Sequence, residues 1–326
     1  MIKINGITYS NNMKILIKAD YIFNGSIVIP EGVERINEGA FAWTNITSVK
    51  FPSSLRYIGK RAFAECRYLE FVDFGKSNYD ILSEPLIFYN CIALKHVAIP
   101  GNIETIGYSC FKGCPIESVT FEEGVRIIEE AAFWPASNLK EIKLPESLNV
   151  IDIMNFMNIK IVHSSSYCDG IASICMYSNR LTVYTNKRGT IYIPGPISLR
   201  YIETNHIQKM LEDYMKGKIE NIYYIDMINN VLSPSLKFIH AAEIYDKTHD
   251  NEVLCFMKEH RSEMKKYLLE YENVELLTKI TNLDIFSEKQ LVDILHNEIC
   301  NSSIPLKAIV LDKLKKQSFE SSKFNI

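Results

Sequence analysis

The sequence predicts an α/β solenoid, a parallel sheet built from repeats of about 23 residues, followed by an all-α region of short helices. Three observations carry this. Phenylalanines recur at Phe41, Phe63, Phe88, Phe111, Phe133 and Phe156, with spacings of 22, 25, 23, 22 and 23. A second column in the same register, Ile29, Phe51, Phe74, Ile99, Phe121 and Leu144, closes each short strand. From about Tyr201 the apolar spacing changes to the three- and four-residue steps of amphipathic helices.

Leu94–Cys114, LKHVAIPGNIETIGYSCFKGC, is the cleanest copy of the unit. Its strand carries Val97 and Ile99 and is stopped by Pro100, which cannot donate to a strand ladder. Pro30, Pro52 and Pro145 take the same place in other copies, and Gly75 and Glu122 replace them in two. Three further columns share the register: Ile36, Ile58, Ile106, Ile128 and Ile151; the small residues Thr44, Cys66, Cys91, Cys114 and Ala136; and the strand openers Ile46, Leu69, Leu94, Ile116, Leu139 and Ile159. One copy is too small to bury its own apolar side chains. Stacked copies place like residues above one another and turn each column into a continuous core. The small column leaves room for the phenylalanine ring beside it, with Cys acting as a small hydrophobe.

The pattern L-x-x-V-x-I-P-x-x-V-x-x-I-G-x-x-A-F-x-x-C resembles the BspA-type leucine-rich repeats, found in bacteria and some parasitic protists. Leu94, Val97, Ile99, Pro100, Ile103, Ile106, Gly107, Phe111 and Cys114 match it position for position. The resemblance covers roughly residues 27–158 and, with weaker copies, 5–200. It implies a repeat solenoid with a binding role and no shared active site.

Departures from the pattern define the ends. The copy at 69–93 has two extra residues, GKSNYDILSEPLIFYNC, so its turn must bulge. After Phe156 the phenylalanine column stops while β-rich runs persist (Ile159–Val162, Leu181–Tyr184, Thr190–Ile193). Residues 159–200 are therefore expected to be degenerate coils and a C-terminal cap. Two short strands around Asn11-Asn12 predict a hairpin cap over residues 1–26. The expected organisation is a leucine-rich-repeat solenoid at 1–200 and an α-helical domain at 201–326.

In that second region HIQKMLEDYMKG ends at the stop signal Gly217, LKFIHAAEIYDK repeats the helical spacing, and Asn251–His260, Arg261–Tyr271 and Asn273–Leu283 follow as short runs. Ser287 to Gln290 reads as a capping box, and Ile304–Lys316 as a final helix before a polar, poorly ordered tail. The short helices loosely resemble ankyrin-type pairs and are expected to cap the solenoid.

Composition is that of an ordinary globular chain, 47% hydrophobic and 23% charged, with a net charge of −3 spread evenly over the two halves. This excludes an electrostatic footprint for nucleic acid. No stretch approaches the ~18 apolar residues of a membrane span. Eight cysteines are too few for a disulfide scaffold at this length. With no secretory pattern at the N-terminus, all eight are expected to be reduced thiols in a cytoplasmic protein; a secreted or surface location is the alternative. The expected assembly is a monomer or weak oligomer.

Motifs of catalysis are missing: no G-x-S-x-G, H-E-x-x-H or G-x-G-x-x-G occurs, and Gly75-Lys76-Ser77 lacks the first P-loop glycine. Cys110, Cys114 and His96 are not spaced as a zinc set, and both cysteines fall at packing positions. His163, Cys168 and Cys175 have no repeat rule to explain them and mark the place where an enzyme reading would put its site. Glu122-Glu123 and Glu129-Glu130 read as solvated turn residues. No catalytic residue, cofactor or metal is expected, and function falls to the solenoid surface. Because strand side chains alternate, Ser48, Phe71, His96, Ser118 and Glu141 form one outward column, and Lys50, Asp73, Ala98, Thr120 and Lys143 another. This stripe of both charge signs with one aromatic, Phe71, suits a protein or peptide better than a polyanion. Asp73 and Lys50 are placed to pair across adjacent strands. The functional expectation is a non-catalytic interaction scaffold, with a host-contact adhesin as the alternative.

Overall fold

The computed structural model describes residues 1–326 except 78, 157–158, 172–173, 175–181, 195–200, 219, 221, 223, 230, 232–233, 272, 281–282, 284, 298–299, 301–302 and 324–326. The chain packs as two units. The first runs from Met1 to Ile222 apart from two short stretches; the second is built on Tyr223–Ile326. The expected boundary lay at residue 200, and the first compact unit continues past it through one helix.

The first unit is a solenoid with two strand-bearing sides. It opens with a meander, β1 (Ile2–Ile4), β2 (Ile7–Tyr9) and β3 (Ile15–Ala19), each antiparallel to the last. The hairpin at Asn11-Asn12 forms as expected. The strand before it was not anticipated, although Asn5 and Gly6, both at positive φ (47° and 80°), are a two-residue hairpin signal. β3 then pairs in parallel with β5 (Arg35–Ile36), which pairs with β7 (Tyr57–Ile58). The same column continues as β10 (Thr105–Ile106), β12 (Ile127–Ile128) and β14 (Val150–Ile151). Between β7 and β10 this sheet is interrupted at the copy with two extra residues, where the Leu82 carbonyl instead accepts Gly107 N–H at 2.9 Å. Gly107 is needed there because a Cβ would lie 2.5 Å from Ser83 O.

The other side carries the longer strands: β4 (Asn24–Val28), β6 (Asn45–Lys50), β8 (Phe71–Asp73), β9 (His96–Ile99), β11 (Ser118–Phe121), β13 (Glu141–Leu144), β15 (Ile161–Ser164) and β16 (Thr182–Asn186). They pair in parallel within three hydrogen-bonded groups, β4-β6-β8, β9-β11 and β13-β15-β16. A turn follows the strands at the prolines, whose carbonyls accept the N–H three residues on: Val33 to Pro30, Leu55 to Pro52, Ile103 to Pro100 and Leu148 to Pro145, at 3.1–3.3 Å. The final strand, β17 (Gly189–Ile193), is antiparallel to β16, which ends the parallel progression.

The five columns are buried, except that Phe121 of the strand-ending column is half-buried. The phenylalanine rings form one stack, with centroids 5.0 Å apart for Phe41–Phe63, 5.3 Å for Phe63–Phe88, 5.2 Å for Phe88–Phe111, 5.3 Å for Phe111–Phe133 and 5.6 Å for Phe133–Phe156. Phe51, Phe74 and Phe121 of the strand-ending column meet the stack edge-on. The small column adds more than space. Cys66, Cys91 and Cys114 thiols donate to the carbonyls of Phe41, Phe63 and Phe88 in the preceding coil, at 3.1, 3.2 and 3.2 Å.

Glu122 and Glu123 are exposed turn residues, as expected, and with the half-buried Glu129 they also tie neighbouring coils together. Glu123 accepts the backbone N–H of Glu146 and Ser147 in the next coil at 2.9 and 3.0 Å, Glu122 accepts that of Gly101 at 3.0 Å, and Glu129 that of Tyr108 at 2.6 Å. Glu31 does the same for Ser53. Stacking leaves these N–H groups at the edge of each turn without a strand partner, and a carboxylate one coil away satisfies them.

Helix α1 (Tyr201–Met215) belongs to this unit. Its end is set by Gly217, at φ 73°, with Gly217 N–H on Tyr214 O and Lys218 N–H on Asp213 O. Tyr184 OH reaches Met215 Sδ at 3.1 Å, and Arg188 donates to Tyr214 O.

The second unit is all-α: α2 (Tyr224–Asn229), α3 (Pro234–Thr248), α4 (Asn251–Glu259), α5 (Arg261–Glu270), α6 (Val274–Ile280), α7 (Glu288–Leu295) and α8 (Ile304–Lys323). Asp250 caps α4, accepting from Glu252 and Val253 N–H, and Ser287 with Gln290 forms the expected capping box on α7. The helix α2 was not anticipated, and α8 runs past Lys316 into the stretch expected to be a loose tail. Phe238, Ile244, Val253, Met257, Met264, Leu268, Leu277 and Val310 are among its buried core residues. A buried His240 contacts Glu243 at 3.1 Å, which Lys279 joins at 2.7 Å.

Candidate ligand-recognition face

Most face strands bury alternate residues and turn the others outward; β6 instead buries Ile46 and Val49 and leaves Ser48 half-buried. In β9, Val97 and Ile99 are buried while His96 and Ala98 are exposed; in β13, Ile142 and Leu144 are buried while Glu141 and Lys143 are exposed. All ten candidate residues face out. Strand register brings them into rows: Ser48 lies opposite Phe71 and Lys50 opposite Asp73, while His96 lies opposite Ser118 and Ala98 opposite Thr120.

Within the rows the polar groups pair. Lys50 Nζ meets Asp73 Oδ2 at 3.0 Å, and His96 Nδ1 lies 2.8 Å from Ser118 Oγ. The Asp73 carboxyl is held below the usual carboxylate range by the Gly75 backbone N–H and then by Lys50. Phe71 is different. Its ring is 60% exposed, with the small Ser48 opposite it on one neighbouring strand. In β4, Val28 opposite Lys50 adds a second exposed apolar group.

The face extends further than the sequence suggested. Lys143 lies opposite His163, and His163 opposite Thr185, so β15 and β16 continue the row. His163 Nε2 contacts Glu141 Oε1 at 3.0 Å. The signal was present in the match of Lys160-Ile161-Val162-His163 to Lys140-Glu141-Ile142-Lys143, masked by a coil three residues shorter than the mean. At this end a pocket of ≈ 190 Å³ is lined by Lys143, His163, Thr185, Lys187 and their neighbours.

The other chemistry-bearing residues are accounted for by packing. Cys110 and Cys114 are fully buried, and burial pushes the Cys110 thiol well up. Cys168 is buried, and that burial pushes its thiol up to about 12. Cys175 lies outside the described residues. Among the described residues no group of three or more His, Cys, Asp or Glu is placed to hold a metal, and no helix is long and apolar enough to cross a membrane.

The family described as BspA type leucine rich repeat region matches six copies in this chain, over residues 20–84 and 84–182. The chain belongs to the BspA-type leucine-rich-repeat family. The matched copies coincide with the stacked coils from β4 to the start of β16, which carry every candidate residue. Among solved structures, the chain is similar to a leucine-rich repeat protein from Bacteroides ovatus (23% identity over 44% of this chain and 37% of that one, TM-score 0.38). It is also similar to leucine-rich repeat proteins from Bacteroides capillosus (28%, over 37% and 97%, TM-score 0.30) and Eubacterium ventriosum (19%, over 45% and 46%, TM-score 0.39). The chain thus spans less than half the length of the first and third. No curated protein matches it.

Proposed function

We propose that this leucine-rich-repeat protein is a non-catalytic scaffold that binds a protein or peptide through the outward face of β4 to β16. The observation that carries the reading is Phe71. The alternation of β8 commits this ring to solvent, in a row whose other members are small or polar. An aromatic ring in that setting gains most by being covered, and aromatic anchors dominate interface energies. The flanking Lys50–Asp73 pair and His96–Ser118 contact supply polar groups of both kinds at its rim, which suits a mixed peptide surface over a polyanion.

The test is capture of partners by the full-length chain from the native cells, with separate soluble and surface-protein fractions, compared with Phe71→Ala. The substitution should leave the urea midpoint within experimental error and reduce capture about tenfold or more. Undiminished capture by a folded Phe71→Ala protein would remove this face as the site. The fraction that supplies the partner decides between an internal scaffold and a surface role.

A further inference from the structure

The pocket at the far end of the face has a chemistry of its own. Lys143, His163 and Thr185 occupy successive places in one row, and Asn186 and Lys187 close the end of β16. Strands in such a sheet lie about 4.8 Å apart, so the three positions span about 10 Å along the row, with a second ammonium at the end of β16.

The chain already places one carboxylate on this cluster. Glu146 meets Lys187 Nζ at 2.9 Å, and its carboxyl is held below the usual range by the hydrogen bond from Lys187, by that from Ser165, and by the charges of Lys187 and Lys143. Lys143 makes no ion pair among the described residues, although its charge acts on Glu146, and it lines the pocket together with Lys187. Glu141, two residues before Lys143 on β13, is engaged by the His163 ring at 3.0 Å. A second carboxylate entering between the two lysines would therefore meet an unpaired ammonium.

Geometry links the pocket to Phe71. From β8 to β13 the Phe71 row runs through His96 and Ser118, and the Lys143 row through the short side chains of Ala98 and Thr120. Three strand steps and a two-residue offset along the strand make about 16 Å to Lys143, which an extended peptide spans in about five residues.

We propose that the pocket lined by Lys143 and Lys187 is the subsite for a carboxylate of the bound peptide, placed about five residues from the apolar group that covers Phe71. The proposal rests on recognition through the sheet face. Its chemistry is shared by an Asp or Glu side chain and by a C-terminal carboxylate.

The full-length protein is titrated with N-acetylglutamate N-methylamide, with N-acetylglycine as the terminal-carboxylate arm and the neutral glutamine analogue as control, following the His163 imidazole by ¹H–¹³C NMR. At least one carboxylate should give a saturating shift that the glutamine analogue does not, and Lys143→Met should weaken it roughly two- to fivefold. Phe71→Ala should titrate like the wild type. No saturating shift with either carboxylate, an equal shift with the glutamine analogue, or an unchanged titration in Lys143→Met overturns the subsite. A library of extended peptides displayed against wild type and Phe71→Ala reads the sheet-face reading separately. Retained peptides without acidic preference sink the subsite and leave that reading standing. A normal carboxylate titration with no Phe71-dependent peptide sinks the reading and leaves a carboxylate site.

Discussion

The Cys114 thiol donates to the Phe88 carbonyl 26 residues earlier, at 3.2 Å, tying two coils together through the buried small-residue column. Cys66 and Cys91 repeat the bond, and at the N-terminal end of the column Thr44 donates to the carbonyl of its own coil's Phe41 at 2.7 Å. Four of the five column residues thus combine small size with a donor, and Ala136 supplies small size alone. Cys114→Ala should cost about 1 kcal/mol, a weak hydrogen bond and a small void. Cys114→Leu should cost more, about 1–3 kcal/mol, because the space beside Phe111 is already filled. Urea unfolding of both variants checks the order; a Leu variant as stable as the Ala variant would show the column is loosely packed.

Phe111 sits fully buried in the ring stack between Phe88 and Phe133. Phe111→Ala should cost roughly 3–5 kcal/mol, since rings held on both sides limit how far the cavity can collapse. Phe71→Ala, one face away and exposed, should change stability by less than about 0.5 kcal/mol. The contrast is read from the two urea midpoints, and a loss below about 1 kcal/mol at Phe111 would mean the stack is not the core.

These residues were legible in the sequence because stacking demands like residues at like positions, which a fixed period reveals. The ten face residues followed from the same register by alternation alone. What escaped is what a period does not encode. Glu123 is recognised as a tie only when the offset between coils shows which N–H groups it reaches. His163 joined the Lys143 row once strand pairing absorbed the shortened coil. Helix α2 is six residues long, too short to show a period. Helix α8 passes Lys316 because polarity is no stop signal: no Gly or Pro lies between Pro305 and Lys323.

The carboxylate ties give the fold an acid-sensitive component. Glu123 and Glu31 are held below the ordinary carboxylate value of 4.5, first by the backbone N–H groups of Glu146 and Ser53 respectively. A depressed folded-state pKa contributes stability that is present above the unfolded value and lost as pH falls through the folded one. The stability difference between wild type and Glu123→Gln should therefore be full near neutral pH and shrink as the pH drops below about 4.5. Urea midpoints of the two proteins near neutrality and at about pH 3 measure it. A difference that grows on acidification would show that the carboxylate is not the bonded species.

Thiol chemistry separates the two units in a way that one labelling experiment reads. The thiolate is the reactive form, so a cysteine must both reach solvent and lose its proton. Cys66, Cys91, Cys110, Cys114, Cys168 and Cys300 are buried, and burial pushes the thiols of Cys91, Cys110, Cys168 and Cys300 up. Cys255, on α4, is the exposed one among the described cysteines. Iodoacetamide applied to the native protein near neutral pH should modify Cys255 first, and the six buried thiols only after denaturant is added, as resolved by peptide mass spectrometry. Of the buried set, the repeat column should be the slowest, because exposing Cys91 requires parting two stacked coils rather than opening one helix end. Labelling of Cys91 or Cys114 at the rate of Cys255 would show that the coils separate readily and that the thiol-to-carbonyl bonds do not hold them.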